Sequence, residues 1–284
     1  MTGITRSDKL ALTSIALFLD VDGTLLELAA TPQAVLVSDD LRERLRALSR
    51  ASGGAVALVS GRAITDLDAL FAPLTLPSAG LHGFEHRGAS GVYRRLRPPS
   101  TAALETARGA VLHLARRHEG LLMEDKQFAL ALHYRGAPHL EGIVVKAIEE
   151  VAASLAGELE LQRGKMLVEL RPAGATKAQA VAAFLQEAPF AGRLPLFIGD
   201  DLTDEPAFEL VNRLDGVSVV VAGTRPSAAQ ARLPDVTAVH GWLERLLAEP
   251  LAALRRLSGV EHGASARDDP SPAARHGSRL RSRA

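Results

Sequence analysis

The chain has 284 residues, 47% of them hydrophobic and 23% charged, with 33 basic and 33 acidic side chains in balance. That is apolar material enough for one large domain or two modest ones, and a charge balance of zero removes any global field for nucleic acid or an anionic membrane, so an anionic partner is expected to be a small molecule held locally. With no cysteine in the chain, disulfides, thiolate metal sites and cysteine nucleophiles are excluded; this usage fits a reducing cytoplasm, where a soluble, monomeric protein is expected.

Arg6, Lys9 and the apolar run Leu10 to Leu19 imitate the start of a secretory leader. No small-residue cleavage pattern follows, and ten residues do not span a bilayer, so no membrane association is expected. Ile15 to Leu19 read as a buried strand that ends at Asp20-Val21-Asp22-Gly23-Thr24, two aspartates one residue apart where the apolar run breaks at a glycine. Buried ionised carboxylates need a cation, strong hydrogen bonds or a chemical task; an isolated Asp-x-Asp-Gly also reads as a polar strand end with an Asx-type turn, and the rest of the chain has to decide.

Leu41, Leu45 and Leu48 fall at helical spacing among charged residues, Ala55 to Val59 is a short buried strand ending at Ser60-Gly61-Arg62, and Ile64, Leu67, Leu70 and Phe71 mark a helix that stops at Pro73. Strand, helix, strand, helix implies a parallel sheet with right-handed crossovers and sites at the carboxyl ends of its strands. His82-Gly83-Phe84-Glu85-His86 spells a zinc-protease motif, but glycines at 80, 83 and 88 argue against the helix that motif requires.

The character shifts near Pro98. One helix is predicted around Leu104, Ala107, Val111 and Leu114 and another from Ile143 to Leu155, with half-buried strands over Phe128–Arg135 and Lys165–Arg171 between and after them. The section reads as a small sheet with helices on one face, an inserted domain over 98–171 between two parts of a core, 1–97 and 172–257. Its linkers, Arg97-Pro98-Pro99 and Arg171-Pro172, are the expected hinges of an opening and closing motion. After Pro172-Ala173-Gly174, Lys177 opens a helix reaching Leu185, Leu194 to Ile198 is a strand ending at Gly199-Asp200-Asp201, Val217 to Val221 is another, and Trp242 to Leu257 is a closing helix. Residues 258–284, rich in Ala, Arg, Ser, Pro and Gly without an apolar period, are expected to be a disordered tail.

Three strand ends in one sheet therefore offer Asp20 with Asp22, Ser60, and Asp200 with Asp201 and Asp204. So many carboxylates repel one another unless a hard cation sits among them, and an oxygen-only donor set favours Mg2+ over zinc. Lys177 at a helix start adds an anion site, whereas the glycines at 157 and 164 are too far apart for a phosphate loop and Met166 stands where a Ser or Thr is required. The set suits phosphoryl transfer to Asp20 followed by hydrolysis, with Asp22 protonating the departing sugar oxygen and then taking a proton from the attacking water.

Asp20-Val21-Asp22-Gly23-Thr24, Ser60-Gly61-Arg62, Lys177 and Gly199-Asp200-Asp201-Leu202-Thr203-Asp204-Glu205 resemble the four ordered motifs of the haloacid dehalogenase superfamily. Ala79 to Glu85, Glu124-Asp125-Lys126 with His133-Tyr134-Arg135, and Val168 to Pro172 make the chain similar to the trehalose-6-phosphate phosphatases within it, from about Leu17 to Leu247. The resemblance implies an α/β fold, a Rossmann-like parallel-sheet core with an inserted smaller α/β cap domain. It implies Asp20 as nucleophile, Asp22 as acid/base, and Mg2+ held by Asp20, the backbone carbonyl of Asp22 and Asp200. Ser60 and Lys177 would hold the phosphate, and Asp201 and Asp204 would orient metal-bound waters and Lys177 from behind. Sugar recognition falls to Glu124, Lys126, Arg135 and Glu169 of the cap, with Arg62 as a further substrate contact; the alternative for the cap residues is solvated strand-face charge. Glu124 and Lys126 share parity with Phe128, so an unbroken strand would aim them at the apolar side, and a bend near Asp125 is required if they reach the site. Competing functions are a phosphatase of another sugar phosphate, of the sucrose-6-phosphate or mannosyl-3-phosphoglycerate type, a mutase or phosphotransferase that returns the phosphoryl group to a sugar, and a non-catalytic sugar-phosphate sensor.

Overall fold

Strand β1, Ile15–Leu19, is buried along its whole length, as a strand covered on both faces must be. Ile15, Leu17 and Leu19 pack with one set of helices while Ala16 and Phe18 pack with another, so the two-residue period of the strand divides the core into two layers of helix around a central sheet. These observations come from a computed structural model that describes residues 12–28, 35–155, 157–223 and 225–257. The leader-like Arg6 and Lys9 and the tail at 258–284 lie outside the described residues.

The central sheet has the order β12-β11-β10-β1-β2-β3-β4-β5, where β2 is Val56–Val59, β3 Ser78–Gly80, β4 Glu85–Arg87, β5 Tyr93–Arg95, β10 Leu194–Gly199, β11 Val217–Val221 and β12 Ala231–Leu233. All neighbours are parallel from β12 to β3; β4 and β5 extend the edge antiparallel. One face carries α1 (Asp39–Ala51), α2 (Ile64–Phe71), α7 (Val236–Ala248) and α8 (Pro250–Leu257), and the other α5 (Lys177–Phe184) and α6 (Glu205–Arg213). Chain order runs outward from β1 through β2 and β3 on one side and from β10 through β11 and β12 on the other. The reversal point thus lies between β1 and β10, where a crevice opens at the carboxyl ends of a doubly wound sheet.

A second sheet, all antiparallel, has the order β6-β7-β9-β8, formed by Leu122–Asp125, Leu130–His133, Leu167–Pro172 and Leu159–Gly164 respectively. Helices α3 (Thr101–Arg117) and α4 (Glu141–Ser154) cover one face, and Leu130, Leu132, Val168 and Leu170 share an apolar cluster with them. The opposite face, with Glu124, Ala131, Glu169 and Gln162 in one cross-strand row, looks at the core. The fold is thus a Rossmann-like core with an inserted cap.

Several expectations need correction. The predicted strand over Phe128–Arg135 is only Leu130–His133, because the chain turns between β6 and β7: Gln127 has φ 70° and its N–H donates to Asp125 Oδ1 at 2.9 Å. No unbroken strand joins Glu124 to Phe128, which removes the parity objection. Arg171-Pro172 is no linker, since both residues pair with β8 through Glu160 and Leu159; the connection back to the core is 173–176. The closing helix begins at Val236, ahead of Trp242, and is interrupted at Glu249, where Pro250, lacking an N–H, starts α8 rather than continuing α7. Trp242 Nε1 donates to Ala253 O across that break at 3.0 Å.

Candidate active site

Asp20 follows β1 at the reversal point and is 4% exposed. Lys177, the first residue of α5, donates from Nζ to Asp20 Oδ1 and to Asp204 Oδ1, both at 2.7 Å. Thr176 caps that helix by accepting from Gln179 N at 3.1 Å, which fixes where the lysine leaves the backbone. Asp204, fully buried, accepts on its other oxygen from the N–H groups of Asp200 and Asp201 at 3.0 Å each. The acidic loop is thereby folded around a carboxylate that already holds the lysine. Asp201 does not hold Lys177: its oxygens accept from Leu202 N at 2.7 Å and from Lys165 N, at the β8–β9 turn, at 3.2 Å.

One ammonium faces three carboxylates here, and the charge left over governs the electrostatics. Burial, with Asp204 and Asp200 adding to it against the opposing pull of Lys177, pushes Asp20 well above the usual carboxylate range. Burial and Asp204 push Asp200 up to about 7. Burial alone would lower Lys177, but Asp20 and Asp204 raise it well above the ordinary lysine value. It stays charged. Asp20, Asp200 and Asp204 each present an oxygen within 4.8 Å of the others, all donors are hard, and the group is short of two positive charges, which matches a divalent cation bound through oxygen. A Cβ on Gly23, at φ 81°, would lie 2.1 Å from Asp200 Oδ2; only glycine lets the Asp20–Thr24 turn approach that carboxylate.

The Ser60-Gly61-Arg62 loop follows β2. Arg62 grips Asp22 through Nε and Nη2, both at 2.7 Å, a two-pronged contact that fixes the carboxylate plane. Ser60, 1% exposed, accepts from Arg62 N at 3.2 Å. Leu81 and His82, at φ 47° and 58°, are consecutive non-glycine residues in the left-handed region; each costs roughly 1–3 kcal/mol and persists only where its surroundings impose it. Their N–H groups bond the carbonyls of Arg62 and Ser60 at 2.9 and 3.0 Å.

The cap forms the roof. Glu169, 3% exposed, accepts from Lys126 Nζ at 3.2 Å and lies 3.1 Å from His82 Nε2, while Lys126 Nζ also donates to Gly61 O at 3.0 Å. Burial would raise Glu169, but Lys126 and His82 outweigh it and hold the carboxyl down to about 2. Glu124 lies 2.9 Å from His133 Nε2 and is held below its ordinary value: burial would raise it, and His133 and Lys126 prevail. Arg135 sits at the exposed rim. Floor and roof enclose a cleft of ≈ 1000 Å³, counting its open mouth, lined by Asp20, Asp22, Ser60, Arg62, Lys177, Asp200 and Asp201 below and by Glu124, Lys126, Arg135 and Glu169 above. Every residue singled out in the sequence lines it except Asp204, which supports it from behind. His82, His133 and Gln162 line it too: His82 was weighed as a cleft contact but not assigned, His133 stood in a matched motif without a role, and Gln162 was missed. His133 and Gln162 share the two-residue parity of Glu169 and Glu124 across the cap sheet, a signal that strand alignment would have yielded; His82 owes its place to a backbone conformation with no such signal.

A family model described as trehalose-phosphatase matches residues 18–237. The trehalose-6-phosphate phosphatase of Escherichia coli (strain K12) is 43% identical over 232 residues, 81% of this chain and 86% of that protein. A probable trehalose-phosphate phosphatase of Sinorhizobium fredii (strain NBRC 101917 / NGR234) is 45% identical over 233 residues, 81% of this chain and 87% of its own. The solved C-terminal domain of a C. albicans trehalose-6-phosphate phosphatase superposes with a TM-score of 0.75 at 23% identity, over 83% of this chain and 92% of that one, a likeness of fold.

Proposed function

The chain belongs to the trehalose-phosphatase family, phosphoric monoester hydrolases, and we propose that it hydrolyses trehalose 6-phosphate to trehalose and phosphate through a phospho-aspartate on Asp20, with Mg2+ held by Asp20, Asp200 and the backbone carbonyl of Asp22. The observation that carries this reading is the buried Asp20–Lys177–Asp204 chain, two contacts of 2.7 Å, under a roof of polar side chains. Lys177 takes up one oxygen of Asp20, leaving Oδ2, which Thr24 Oγ1 approaches at 3.4 Å, as the attacking atom.

Asp20 Oδ2 forms the new bond to phosphorus as the bond from phosphorus to the sugar oxygen breaks, and that oxygen takes its proton from Asp22. Water then attacks phosphorus, gives a proton to Asp22, and the phosphorus–Asp20 bond breaks to regenerate the carboxylate and release phosphate. Lys177 and the hydroxyl of Ser60 hold the phosphoryl oxygens throughout. Bound Mg2+ would supply neutralisation of phosphoryl charge. Arg62 must loosen its hold on Asp22 for the proton to move, and the arriving phosphate is the competing partner for the guanidinium. Glu124, Lys126, Arg135 and Glu169 supply directional hydrogen bonds to sugar hydroxyls, where a missing partner is costly and selectivity follows.

The test is phosphate release from trehalose 6-phosphate, sucrose 6-phosphate and mannosyl-3-phosphoglycerate, each with Mg2+ and with a chelator. Fast, Mg2+-dependent release from the first is expected. Preference for another member of the panel, isomerised sugar phosphate in place of free phosphate, or undiminished rates under chelation would overturn the reading.

A further inference from the structure

His82 is a buried, titratable group in the cleft to which the reaction above assigns nothing. Its backbone lies in the left-handed region at φ 58°, following Leu81 at φ 47°; His82 N donates to Ser60 O and Leu81 N to Arg62 O, which ties the pair to the Ser60–Arg62 loop. Its ring lies over Gly61: a Cβ there would meet Nε2 at 2.8 Å and Cε1 at 2.9 Å. Nε2 reaches Glu169 Oε2 at 3.1 Å, Glu169 Oε1 accepts from Lys126 Nζ at 3.2 Å, and the same Nζ donates to Gly61 O at 3.0 Å. The four groups form a closed circuit, two from the core and two from the cap. Lys126 and Glu169 side chains are only 9% and 3% exposed.

We propose that His82 is a positioning residue for sugar recognition, forming with the Gly61 carbonyl a socket on the core that fixes the cap's Lys126 and Glu169 to receive two neighbouring hydroxyls of a sugar ring. Lysine has three N–H donors and a carboxylate about four acceptor sites. The circuit uses two donors of Lys126 and one contact on each oxygen of Glu169, which leaves a donor and acceptor capacity side by side, the complement of a vicinal diol. Glu169 is an acceptor only while ionised, so Nε2 carries the proton that faces it. Burial lowers His82 against the opposing pull of Glu169, in keeping with a neutral ring that donates one hydrogen bond. Because half the circuit belongs to the core, the recognition edge is complete only when the cap is seated.

This inference rests on the sugar phosphatase reading, and two substrates separate their failures. Steady-state rates are measured for wild type, His82→Phe, which keeps a ring but removes the donor, and His82→Gln, which restores an N–H near the Nε2 position. The substrates are trehalose 6-phosphate and p-nitrophenyl phosphate, which carries no sugar. His82→Phe is expected to raise KM for trehalose 6-phosphate about 10–100-fold, the cost of one unsatisfied buried group, with kcat and the p-nitrophenyl phosphate rate within about threefold, and His82→Gln to recover most of the loss. Equal losses on both substrates, or none on either, would overturn the assignment. If His82→Phe fails to fold, His82→Ala is read on the same two substrates. A wild type that cleaves p-nitrophenyl phosphate but not trehalose 6-phosphate would instead sink the functional reading.

Discussion

At the scale of single residues, Asp20 combines a proposed chemical role with a thermodynamic cost. A carboxyl whose folded pKa is raised contributes stability at low pH that is lost as pH rises through that value, so ionised Asp20 opposes folding at neutral pH. Asp20→Asn should therefore lose turnover by on the order of 10³-fold or more while melting no lower than wild type in metal-free buffer. Fluorescence of the sole tryptophan, Trp242, reports the melt, and turnover near the wild-type rate would remove Asp20 from the chemistry. Glu169 has the opposite sign. Its depressed pKa gives stability that is present above the unfolded value near 4.5 and is lost as pH falls toward about 2. Glu169→Gln should flatten that acid limb by on the order of 1–3 kcal/mol, measured by denaturant titration between pH 5 and 2; an unchanged limb would mean Lys126 and His82 do not hold the carboxylate. That Asp20, Ser60, Lys177 and Asp200 gather at one cleft was legible because each ends a strongly patterned strand or opens a helix, whereas the place of His82 depends on two strained backbone angles that no periodicity encodes.

At the scale of elements, the β6–β7 turn determines whether the cap's polar residues reach the site. Gln127 at φ 70° reverses the chain directly after Lys126, so Glu124 stays on the cleft face of β6 and Lys126 swings to Gly61. A β-branched residue in that region costs roughly 1–2 kcal/mol. Gln127→Val is predicted to lower stability by about that amount and to raise KM for the sugar phosphate, while Gln127→Gly preserves both; equal behaviour of the two variants in denaturation and kinetics would show that the turn is not under backbone control. The parallel strands β1, β2, β10 and β11 were legible as continuous apolar runs, the signature of burial on both faces. Strands β3 to β5 were not. Ser78-Ala79-Gly80 lacks β-branched or aromatic side chains, and Tyr93-Arg94-Arg95 is exposed throughout, so pairing with neighbours rather than local preference makes them strands. The apolar period of the last helix ran on across Pro250 and concealed the missing N–H there.

At the scale of the molecule, cap and core touch at separate places: His82 and Gly61 with Glu169 and Lys126, Asp201 with Lys165 N, and an apolar cluster joining Leu81, Phe84 and Ala175 with Ala129. Among the described residues no helix is long and apolar enough to cross a membrane. The polar contacts are of the kind that domain closure makes and breaks, and Phe128 adds a ring contact to Phe84 at 5.2 Å. Small-angle scattering with Mg2+ and a phosphate mimic is predicted to show a smaller radius of gyration than without them; identical profiles would place the cap permanently on the core.

Four residues, 173–176, separate the end of β9 at Pro172 from Lys177. The ammonium that pairs with Asp20 is thus anchored at the end of the same short tether that brings the cap's chain back to the core. For protein engineering this sets a splice rule: a foreign cap must rejoin ahead of Thr176, whose side chain accepts from Gln179 N and starts α5 where the lysine meets its partners.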